Sequence, residues 1–174
     1  MTFKKYMTIS KALRVLGVDP GTATTGWAIV EEVKKNPRLV ACGCVNTSKS
    51  NSDAERLVEI GRDIATLVKK YKPAEAAIED LFFFKNLKTA ITVAQARGVI
   101  LYEIKKNLIP LFAYTPLQVK QAITGYGRAE KKQIQVMVKN ILNLKNVPRP
   151  DDAADAVAIA ICHLNSRNMK KVRL

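Results

Sequence analysis

The chain has 174 residues, of which 48% are hydrophobic, and a formal net charge of +14 from 29 Lys and Arg against 15 Asp and Glu. Its length predicts one domain that can bury a proper core. No apolar run reaches the length of a bilayer-spanning helix, which excludes an integral membrane protein of that kind. The basic excess predicts a nucleic acid or an anionic membrane surface as partner, and the alternative is a highly charged soluble surface.

The chain ends and the cysteines bear on the compartment. The basic N-terminal segment 1–12 has no apolar core, so it is not a secretory signal, and we predict a flexible extension there. Residues 168–174 are predicted to form a basic C-terminal tail. Cys42, Cys44 and Cys162 are odd in number and lack paired Cys-x-x-Cys spacing, which excludes a disulfide framework and a zinc site. They predict reduced thiols in a cytoplasmic protein.

The first part of the domain is predicted to be β-structure. The apolar run 13–19 stops at Pro20 and Gly21, which indicates a strand followed by a turn. Residues 25–32 and 38–47 predict two more strands, and the intervening KKNP has the composition of a hairpin loop. Three consecutive strands with short connections favour an antiparallel meander.

Helices and strands then alternate along the chain. A helix capped by Ser52 or Asp53 is predicted to end before Pro73, because its apolar residues recur at helical spacing. The short apolar segment 74–80 lies between breakers and predicts a buried strand. Residues 86–106 predict a long helix.

The remaining segments complete the predicted fold. Residues 109–115 predict a strand, Pro116 opens a short helix, a glycine-broken basic loop follows, and 130–144 and 151–166 predict helices. Strand–helix–strand connections imply that the later strands are parallel. The predicted fold class is α/β over residues 13–167, with a mixed five-stranded sheet, helices on both faces and the element order of the ribonuclease H-like fold.

Four acidic residues stand at the ends of apolar segments, where an unpaired carboxylate is costly. Asp19 ends the first strand and Glu79 lies at the end of the fourth, so both reach one edge of the sheet if these strands are adjacent and parallel. Asp152 and Asp155 are three residues apart at a helix start, on one face and near the positive end of the helix dipole. Convergence of all four is the hypothesis; a plain turn residue at Asp19 and a plain helix cap at Asp152 are the alternatives.

Four carboxylates in one place repel one another strongly unless cations lie between them. Two Mg²⁺ ions balance the charge and prefer such oxygen ligands. Two ions about 4 Å apart activate water and stabilise the leaving oxygen of phosphodiester hydrolysis, so the set predicts a metal-dependent nuclease. Asp80 and Asp151 are reserve ligands that we expect to face solvent. His163, the only histidine, is expected to have a structural or surface role rather than to be a metal ligand.

A basic strip surrounds the glycine-rich loop that precedes the helix predicted over 130–144. It comprises Lys120, Arg128, Lys131 and Lys132. The glycines let the backbone approach phosphates closely. DNA contact is the favoured interpretation for Lys120 and Lys131, and a solvated helix face is the alternative.

Three consecutive aromatic residues, Phe82, Phe83 and Phe84, follow the strand that carries Glu79. They cannot all face one core, so at least one is expected to point outward beside Lys85. An exposed ring next to a nuclease site can stack on an unpaired base, a contact worth about 1–3 kcal/mol. The alternative is that all three fill the sheet end or a subunit contact.

The helix predicted over 86–106 carries more apolar surface than one core-facing stripe needs. We therefore predict a symmetric dimer in which this helix contributes to the interface. The alternative is that the final helices of the same chain cover the extra surface. The first stripe comprises Leu87, Ala90, Ile91, Ala94, Gly98 and Leu101, and a second comprises Val93, Ile100 and Ile104.

With these motifs in view, the sequence resembles the RuvC family of crossover junction endodeoxyribonucleases, which resolve Holliday junctions. The matching segments occur in the family's order and spacing between Leu13 and about Ser166. They are GVDPGTATTGWAIV, AAIEDLFFFKN with the following AQARGVI, TPLQVKQAITGYGRAEKKQIQVMV, and DDAADAVAIAICH. Trp27 stands where the family usually has Tyr or Phe, and the first dozen residues lie outside the pattern.

The resemblance implies that the family's catalytic tetrad falls on the four acids chosen above on chemical grounds. It also implies that Lys120 and Lys131 lie near the scissile phosphate and that Phe82 is the aromatic that wedges the DNA. Further implications are a homodimer that nicks a four-way junction symmetrically, dependence on Mg²⁺ or Mn²⁺, and cooperation with the RuvA–RuvB branch-migration complex.

Two other classes of function compete with a junction nuclease. An actin-like ATPase could cradle phosphate with VDPGTATTG, but such proteins are usually much longer, with two domains and a second phosphate loop. A non-catalytic junction-binding protein needs the basic surface but not the four acids. A nuclease assay on a four-way junction, with and without Mg²⁺, separates all three.

Overall fold

The computed structural model describes residues 12–80 and 87–167, and it describes side chains of the helix that begins at Leu87 from Ala90 onward. The predicted C-terminal tail, almost all of the predicted N-terminal extension, Phe82, Phe83, Phe84 and Lys85 lie outside the described residues. The elements are β1 (Leu13–Asp19), β2 (Thr24–Val33), β3 (Asn36–Asn46), α1 (Asp53–Tyr71), β4 (Glu75–Glu79), α2 (Leu87–Lys106), β5 (Leu111–Tyr114), α3 (Pro116–Thr124), α4 (Lys131–Ile141) and α5 (Asp151–Ser166).

The five strands form one mixed sheet in the order β3-β2-β1-β4-β5. β1, β2 and β3 pair antiparallel, whereas β1, β4 and β5 pair parallel, as predicted. In the β1–β4 pair Val18 lies opposite Ile78, so the next residues, Asp19 and Glu79, leave the sheet at the same edge. The strand order thus brings Asp19 and Glu79 to the same edge of the sheet, as the acidic-site hypothesis requires.

Helices cover both faces of the sheet, as predicted. α1 and α2 pack on one face, where Leu16, Ile60 and Ile100 are fully buried. α3, α4 and α5 pack on the other face with residues such as Val15 and Val157. Among the described residues, the final helices therefore pack on the opposite face of the sheet from α2 and do not cover its outer side.

The β2–β3 hairpin is tighter than its sequence suggests. Its turn consists of Lys34 and Lys35, with φ angles of 50° and 68°. Two consecutive residues with positive φ form the turn whose twist matches that of the flanking strands. The sequence predicts a longer loop, KKNP, because it lacks the Asn-Gly or Asp-Gly signal that usually marks such a turn.

α5 is the central helix of the domain. Eleven of its residues are buried, and between Ala153 and Leu164 only Asp155 is not. Its alanines allow this packing, because small side chains let the helix lie close to the sheet on one side and to α3 and α4 on the other. Asp155 is thus a half-buried carboxylate on a helix whose neighbouring residues are buried.

The C-terminal half of α5 is fixed to the sheet by a buried polar cluster. His163 is fully buried, its Nε2 lies 2.7 Å from Glu75 Oε2, and its Nδ1 lies 2.8 Å from the Tyr114 hydroxyl. The ring also stacks on Phe112 at 4.7 Å between centroids. His163 is thus a core residue that links α5 to β4 and β5.

Two further findings concern the chain as a whole. All three cysteines lie in the described part of the chain and are free thiols. Among the described residues, no helix is long and apolar enough to cross a membrane.

Candidate metal centre and active site

Two glycines let α5 reach the edge of the sheet where β1 and β4 end. A Cβ atom on Gly17 of β1 would lie 2.2 Å from the Ala156 carbonyl oxygen, and one on Gly26 of β2 would lie 2.0 Å from the Asp152 carbonyl oxygen. Real Cβ atoms do not approach backbone this closely, so only glycine fits at either place. The first turns of α5 therefore rest directly on the sheet backbone, next to Asp19.

This packing brings three carboxylates together. One oxygen atom from each of Asp19, Asp152 and Asp155 lies within 4.8 Å of the others. Three carboxylates at this spacing can act as ligands of a hard divalent cation. Neither the plain turn nor the plain cap explains why these side chains meet.

Glu79 borders this group from the neighbouring strand. It lines a cavity of about 180 Å³ together with Asp155, Lys120 and Lys131. The charge of Asp155 raises the pKa of Glu79, and the charges of Glu79 and Asp155 raise the pKa of Asp19. The sequence-predicted four acids are therefore neighbours, with Glu79 at the side where the two lysines lie.

The electrostatics of the site follow from burial among like charges. Desolvation, followed by the charges of Glu79, Asp155 and Asp152, raises the pKa of Asp19 to about 8. Desolvation and the charge of Asp155 raise the pKa of Glu79 to about 7, against an opposing effect of Lys120 and Lys131. Burial raises the pKa of Asp155 as well. A bound divalent cation would relieve this repulsion, so the carboxylates fit a metal on chemical grounds.

Lys131 makes direct contact with the acidic group. Its Nζ lies 2.8 Å from Asp155 Oδ2, and this hydrogen bond raises the pKa of Lys131. Lys120 approaches from α3, whose first turn is capped by Thr115 and Gln118. Both lysines predicted from the sequence thus line the cavity beside Glu79.

The two reserve acids are engaged elsewhere. Asp80 pairs with Arg97 of α2 at 3.1 Å, and Asp151 pairs with Arg149. Both side chains are roughly half exposed, as expected. Neither belongs to the three-carboxylate group, so the structure gives them no place among the cation ligands.

Arg97 is a residue near the site to which the sequence analysis assigned no role. Its guanidinium reaches from α2 to the Glu79 carbonyl oxygen at 3.4 Å and to Asp80 at 3.1 Å. These contacts fix the end of β4 and so orient Glu79. The signal was present in the motif AQARGVI, but its distance from Glu79 in the sequence hid the contact.

Cys44 is a second unpredicted neighbour. β2 pairs Gly26 with Asp19 on one side and with Cys44 on the other. Burial and the charge of Asp152 raise the pKa of the Cys44 thiol, so it stays protonated and uncharged at neutral pH. It therefore adds no negative charge to the group.

The other predicted DNA-binding residues lie at the periphery or outside the described residues. Arg128 and Lys132 are exposed on the loop after α3 and the first turn of α4. Phe82 and Lys85 lie outside the described residues, so their predicted roles stay predictions.

A mixed sheet with an acidic cluster at the carboxyl ends of β1 and β4, next to an acidic helix start, is the arrangement typical of metal-dependent nucleases of the ribonuclease H-like class. The family described as crossover junction endodeoxyribonuclease RuvC matches residues 15–163. The chain therefore belongs to the RuvC family and is an endodeoxyribonuclease, as the sequence resemblance predicted.

Individual relatives agree with this assignment. The crossover junction endodeoxyribonuclease RuvC of Roseiflexus is 55% identical over 152 residues, which cover 87% of this chain and 90% of the relative. The structure of Thermus thermophilus RuvC is 34% identical, with a TM-score of 0.86, and the match covers 93% of this chain and 100% of that one. RuvC of the same organism in complex with a Holliday junction substrate is 32% identical, with a TM-score of 0.84, over 93% of this chain and 99% of that one. These matches confirm the ribonuclease H-like fold.

Proposed function

We propose that the protein resolves Holliday junctions by metal-dependent hydrolysis of phosphodiester bonds in recombination and repair. The observation that carries the proposal is the meeting of Asp19, Asp152 and Asp155, with Glu79 beside them, next to two lysines. The Thermus relative was solved with such a junction, and similarity to it over nearly the whole chain supports the same substrate here.

The metal is proposed to be Mg²⁺, two ions per site, with Mn²⁺ able to substitute. Asp19, Glu79, Asp152 and Asp155 would hold it, because they offer the hard oxygen atoms that these ions prefer. When bound, the ions supply activation of the attacking water and charge stabilisation at the leaving oxygen.

The cationic side chains of the protein are proposed to bind the phosphate group and to stabilise its charge. Lys131 is held at the acidic group by Asp155, and Lys120 lies across the cavity beside Glu79. Two ammonium groups facing one cavity attract a phosphate and stabilise the negative charge that builds up on it during hydrolysis. We therefore assign both lysines to the catalytic site.

A wider contact surface is proposed for the DNA arms. Arg128 and Lys132 are exposed, and Lys132 directly follows Lys131 on α4, so both side chains are free to contact phosphates. Phe82 and Lys85 follow Glu79 directly in the sequence, which supports the proposal that they contact DNA near the cut. In this assignment Phe82 holds the strands apart and Lys85 binds backbone.

We also propose a two-fold symmetric homodimer built on the outer side of α2. Ala90, Ile100 and Ile104 face the core, whereas Ile91, Ala94, Gly98 and Tyr102 are exposed, with Ile91 61% and Tyr102 62% accessible. A Cβ on Gly98 would meet no atom of the described residues within 4 Å, so their packing does not require glycine there. Glycine at this position would allow a second α2 to approach closely. A dimer also supplies two active sites, one for each of the two nicks.

Two further proposals concern partners and location. Cooperation with the RuvA–RuvB branch-migration complex rests on the family resemblance alone, and a cytoplasmic location rests on the three free thiols.

The function is tested by Asp155→Asn, with Asp151→Asn as the matched control one turn away. The Asp155 change removes a proposed metal-ligand charge but keeps nearly the same shape, so cutting of a synthetic four-way junction with Mg²⁺ should fall by more than about 100-fold. Junction binding in EDTA should persist in both variants, and Asp151→Asn should cut normally. If Asp155→Asn cuts at the wild-type rate, the assignment of Asp155 to the active site is wrong. If the wild-type protein binds the junction but does not cut it, the protein is a non-catalytic junction-binding protein.

A further inference from the structure

We propose that a cavity on the outer side of α4, walled by Tyr126, binds an unpaired nucleobase of the DNA substrate. This inference rests on the proposed junction nuclease function and extends it to a base-binding site separate from the acidic cluster. The occupant is a base of a strand whose phosphate lies at the active site.

Tyr126 is an exposed aromatic residue on an ordered loop. Its side chain is 59% accessible although it stands between two helices of the core. Its N–H donates to Thr124 Oγ1 at 3.2 Å, and Gly125, with φ of 73°, ends α3. A Cβ on Gly127 would lie 2.4 Å from Leu117 Cδ1, so the loop packs directly on α3. The loop thus holds the ring in solvent, and the fold itself does not need it there.

The cavity beside the ring has the chemistry of a nucleobase site. Its volume is about 490 Å³, within the range of small-ligand pockets. Tyr126 offers an aromatic face, Val136 and Met137 offer apolar contact, and Gln133 offers an amide. The Glu130 N–H donates to Gln133 Oε1 at 2.8 Å, which fixes that amide at the rim. Aromatic rings and apolar walls bind bases of any sequence, because every base has a π-face.

The charge of the surroundings favours a nucleic acid over an acidic or neutral protein surface. Lys132 lines the cavity, and Arg128 lies in the same loop. The lining residues within the described chain include no carboxylate; the full set is Thr124, Tyr126, Ala129, Lys132, Gln133, Val136 and Met137. A cation beside an aromatic ring suits a nucleotide, because the cation can bind the phosphate and the ring can stack on the base.

The position of the cavity fits a strand that passes through the active site. Lys131, which contacts Asp155, directly precedes Lys132, which lines the cavity. The first turn of α4 therefore carries one lysine at the acidic group and the next at the cavity, roughly 100° further around the helix axis. Because a helix with its side chains is about 10–12 Å across, a strand reaches the cavity within a few nucleotides of the cut.

Binding measurements on three variants test the inference. Four-way junctions with and without unpaired thymidines beside the crossover are titrated in EDTA with wild type, Tyr126→Leu, Tyr126→Phe and the control Leu108→Ala. Leu108 is 90% exposed and follows the C-terminus of α2, which packs on the opposite face of the sheet from α4. Loss of one base stack weakens binding by about 5- to 150-fold, so Tyr126→Leu should show this loss on the junction with unpaired thymidines. Tyr126→Phe and Leu108→Ala should bind within about twofold of wild type, since they keep the stacking surface or lie elsewhere.

Photocrosslinking locates the contact directly. Junctions carrying 5-iododeoxyuridine one to three nucleotides from the crossover should give an adduct on the peptide that contains Tyr126, and Tyr126→Leu should lose it. Unchanged affinity of Tyr126→Leu overturns the inference and leaves the ring to a protein partner. An equal loss on plain duplex DNA, or an equal loss in Tyr126→Phe, also overturns it, because neither indicates stacking on an unpaired base. Failure of the wild type to cut the paired junction with Mg²⁺ would instead contradict the proposed function.

Discussion

Lys131 and Asp155 form an ion pair between α4 and α5, with 2.8 Å between Nζ and Oδ2. Their side chains are 50% and 30% exposed, so the pair stands at the mouth of the acidic cluster rather than within the core. The hydrogen bond raises the pKa of Lys131, so the ammonium stays charged at neutral pH. The ammonium group of Lys131 neutralises part of the negative charge of the carboxylate cluster, which a bound divalent cation would neutralise further.

Lys131→Gln should therefore separate metal binding from cutting. Removal of the ammonium leaves the carboxylates more negative, so Mn²⁺ should bind a few-fold more tightly in a calorimetric titration. Cutting should fall by about 100-fold or more, since a preorganised donor to the phosphate is lost. Lys139→Gln, on the last turn of the same helix, is the control and should change neither quantity. Weaker Mn²⁺ binding in Lys131→Gln would show that the lysine supports the cluster instead of competing with the metal.

The acidic cluster should make the metal-free protein less stable as pH rises. Asp19 and Glu79 have folded pKa values of about 8 and about 7, against ordinary values of 3.8 and 4.5. Between about pH 4 and pH 8 the folded state thus holds protons that the unfolded chain has released, and the free energy of unfolding falls with pH. Urea titrations in EDTA at pH 5 and pH 8 should give the lower midpoint at pH 8.

Metal should reverse this trend, because it binds the deprotonated carboxylates. The rise in Tm on adding Mg²⁺ should be larger at pH 8 than at pH 6. The double variant Asp19→Asn, Glu79→Gln is the control, and both pH effects should shrink in it. Midpoints that do not differ between pH 5 and pH 8 in the wild type would contradict the raised pKa values.

Gly26→Ala should damage stability and metal binding together. The added Cβ would meet the Asp152 carbonyl oxygen at 2.0 Å, so α5 must move away from the sheet. Overpacking of this kind costs about 1–3 kcal/mol of unfolding free energy, and it displaces a proposed metal ligand. Gly43→Ala is the matched control on the next strand, because its Cβ would meet only the Trp27 ring, at 3.1 Å, which can yield. Denaturant titration and Mn²⁺ calorimetry check both quantities, and a Gly26→Ala protein as stable as wild type would disprove the close approach.

Gly98→Trp should dissociate the proposed dimer without unfolding the subunit. No atom of the described part of the chain lies within 4 Å of a Cβ at this position, so a large side chain fits there until a second α2 approaches. Sedimentation equilibrium at micromolar concentration should give about twice 19.3 kDa for wild type and about 19.3 kDa for the variant. Val33→Trp, at the exposed end of the β2–β3 hairpin, should remain a dimer. A wild-type mass near 19.3 kDa would rule out a stable dimer on this helix.

The fold was predictable because the signals for its elements are local. Apolar runs that stop at breakers marked β1 and β4, and the helical spacing after Ser52 marked α1, whose cap is that residue. The tight turn at Lys34 and Lys35 was not predictable, because strand twist imposes positive φ angles on residues that do not prefer them. The limits of the terminal segments stay predictions.

The acidic site was predictable in composition but not in arrangement. Strand ends and helix starts selected the four acids, yet only the packing places three of them within 4.8 Å and Glu79 at their side. That packing depends on Gly17 and Gly26, whose effect on α5 involves backbone atoms far away in sequence. The role of Arg97 was hidden for the same reason, because nothing near Arg97 in the sequence points to β4.

α5 carries Asp152 and Asp155 at one end and His163 at the other, and the residues between them form the middle of the core. Local opening of this helix would separate His163 from Glu75 and Tyr114 and expose the sheet, so it amounts to global unfolding. The amide hydrogens of α5 should accordingly be among the slowest in the protein to exchange with deuterium. The helix backbone that carries Asp152 and Asp155 therefore needs no ordering step when the ion arrives, and natural variation on the buried side of α5 is constrained by folding and by catalysis at once.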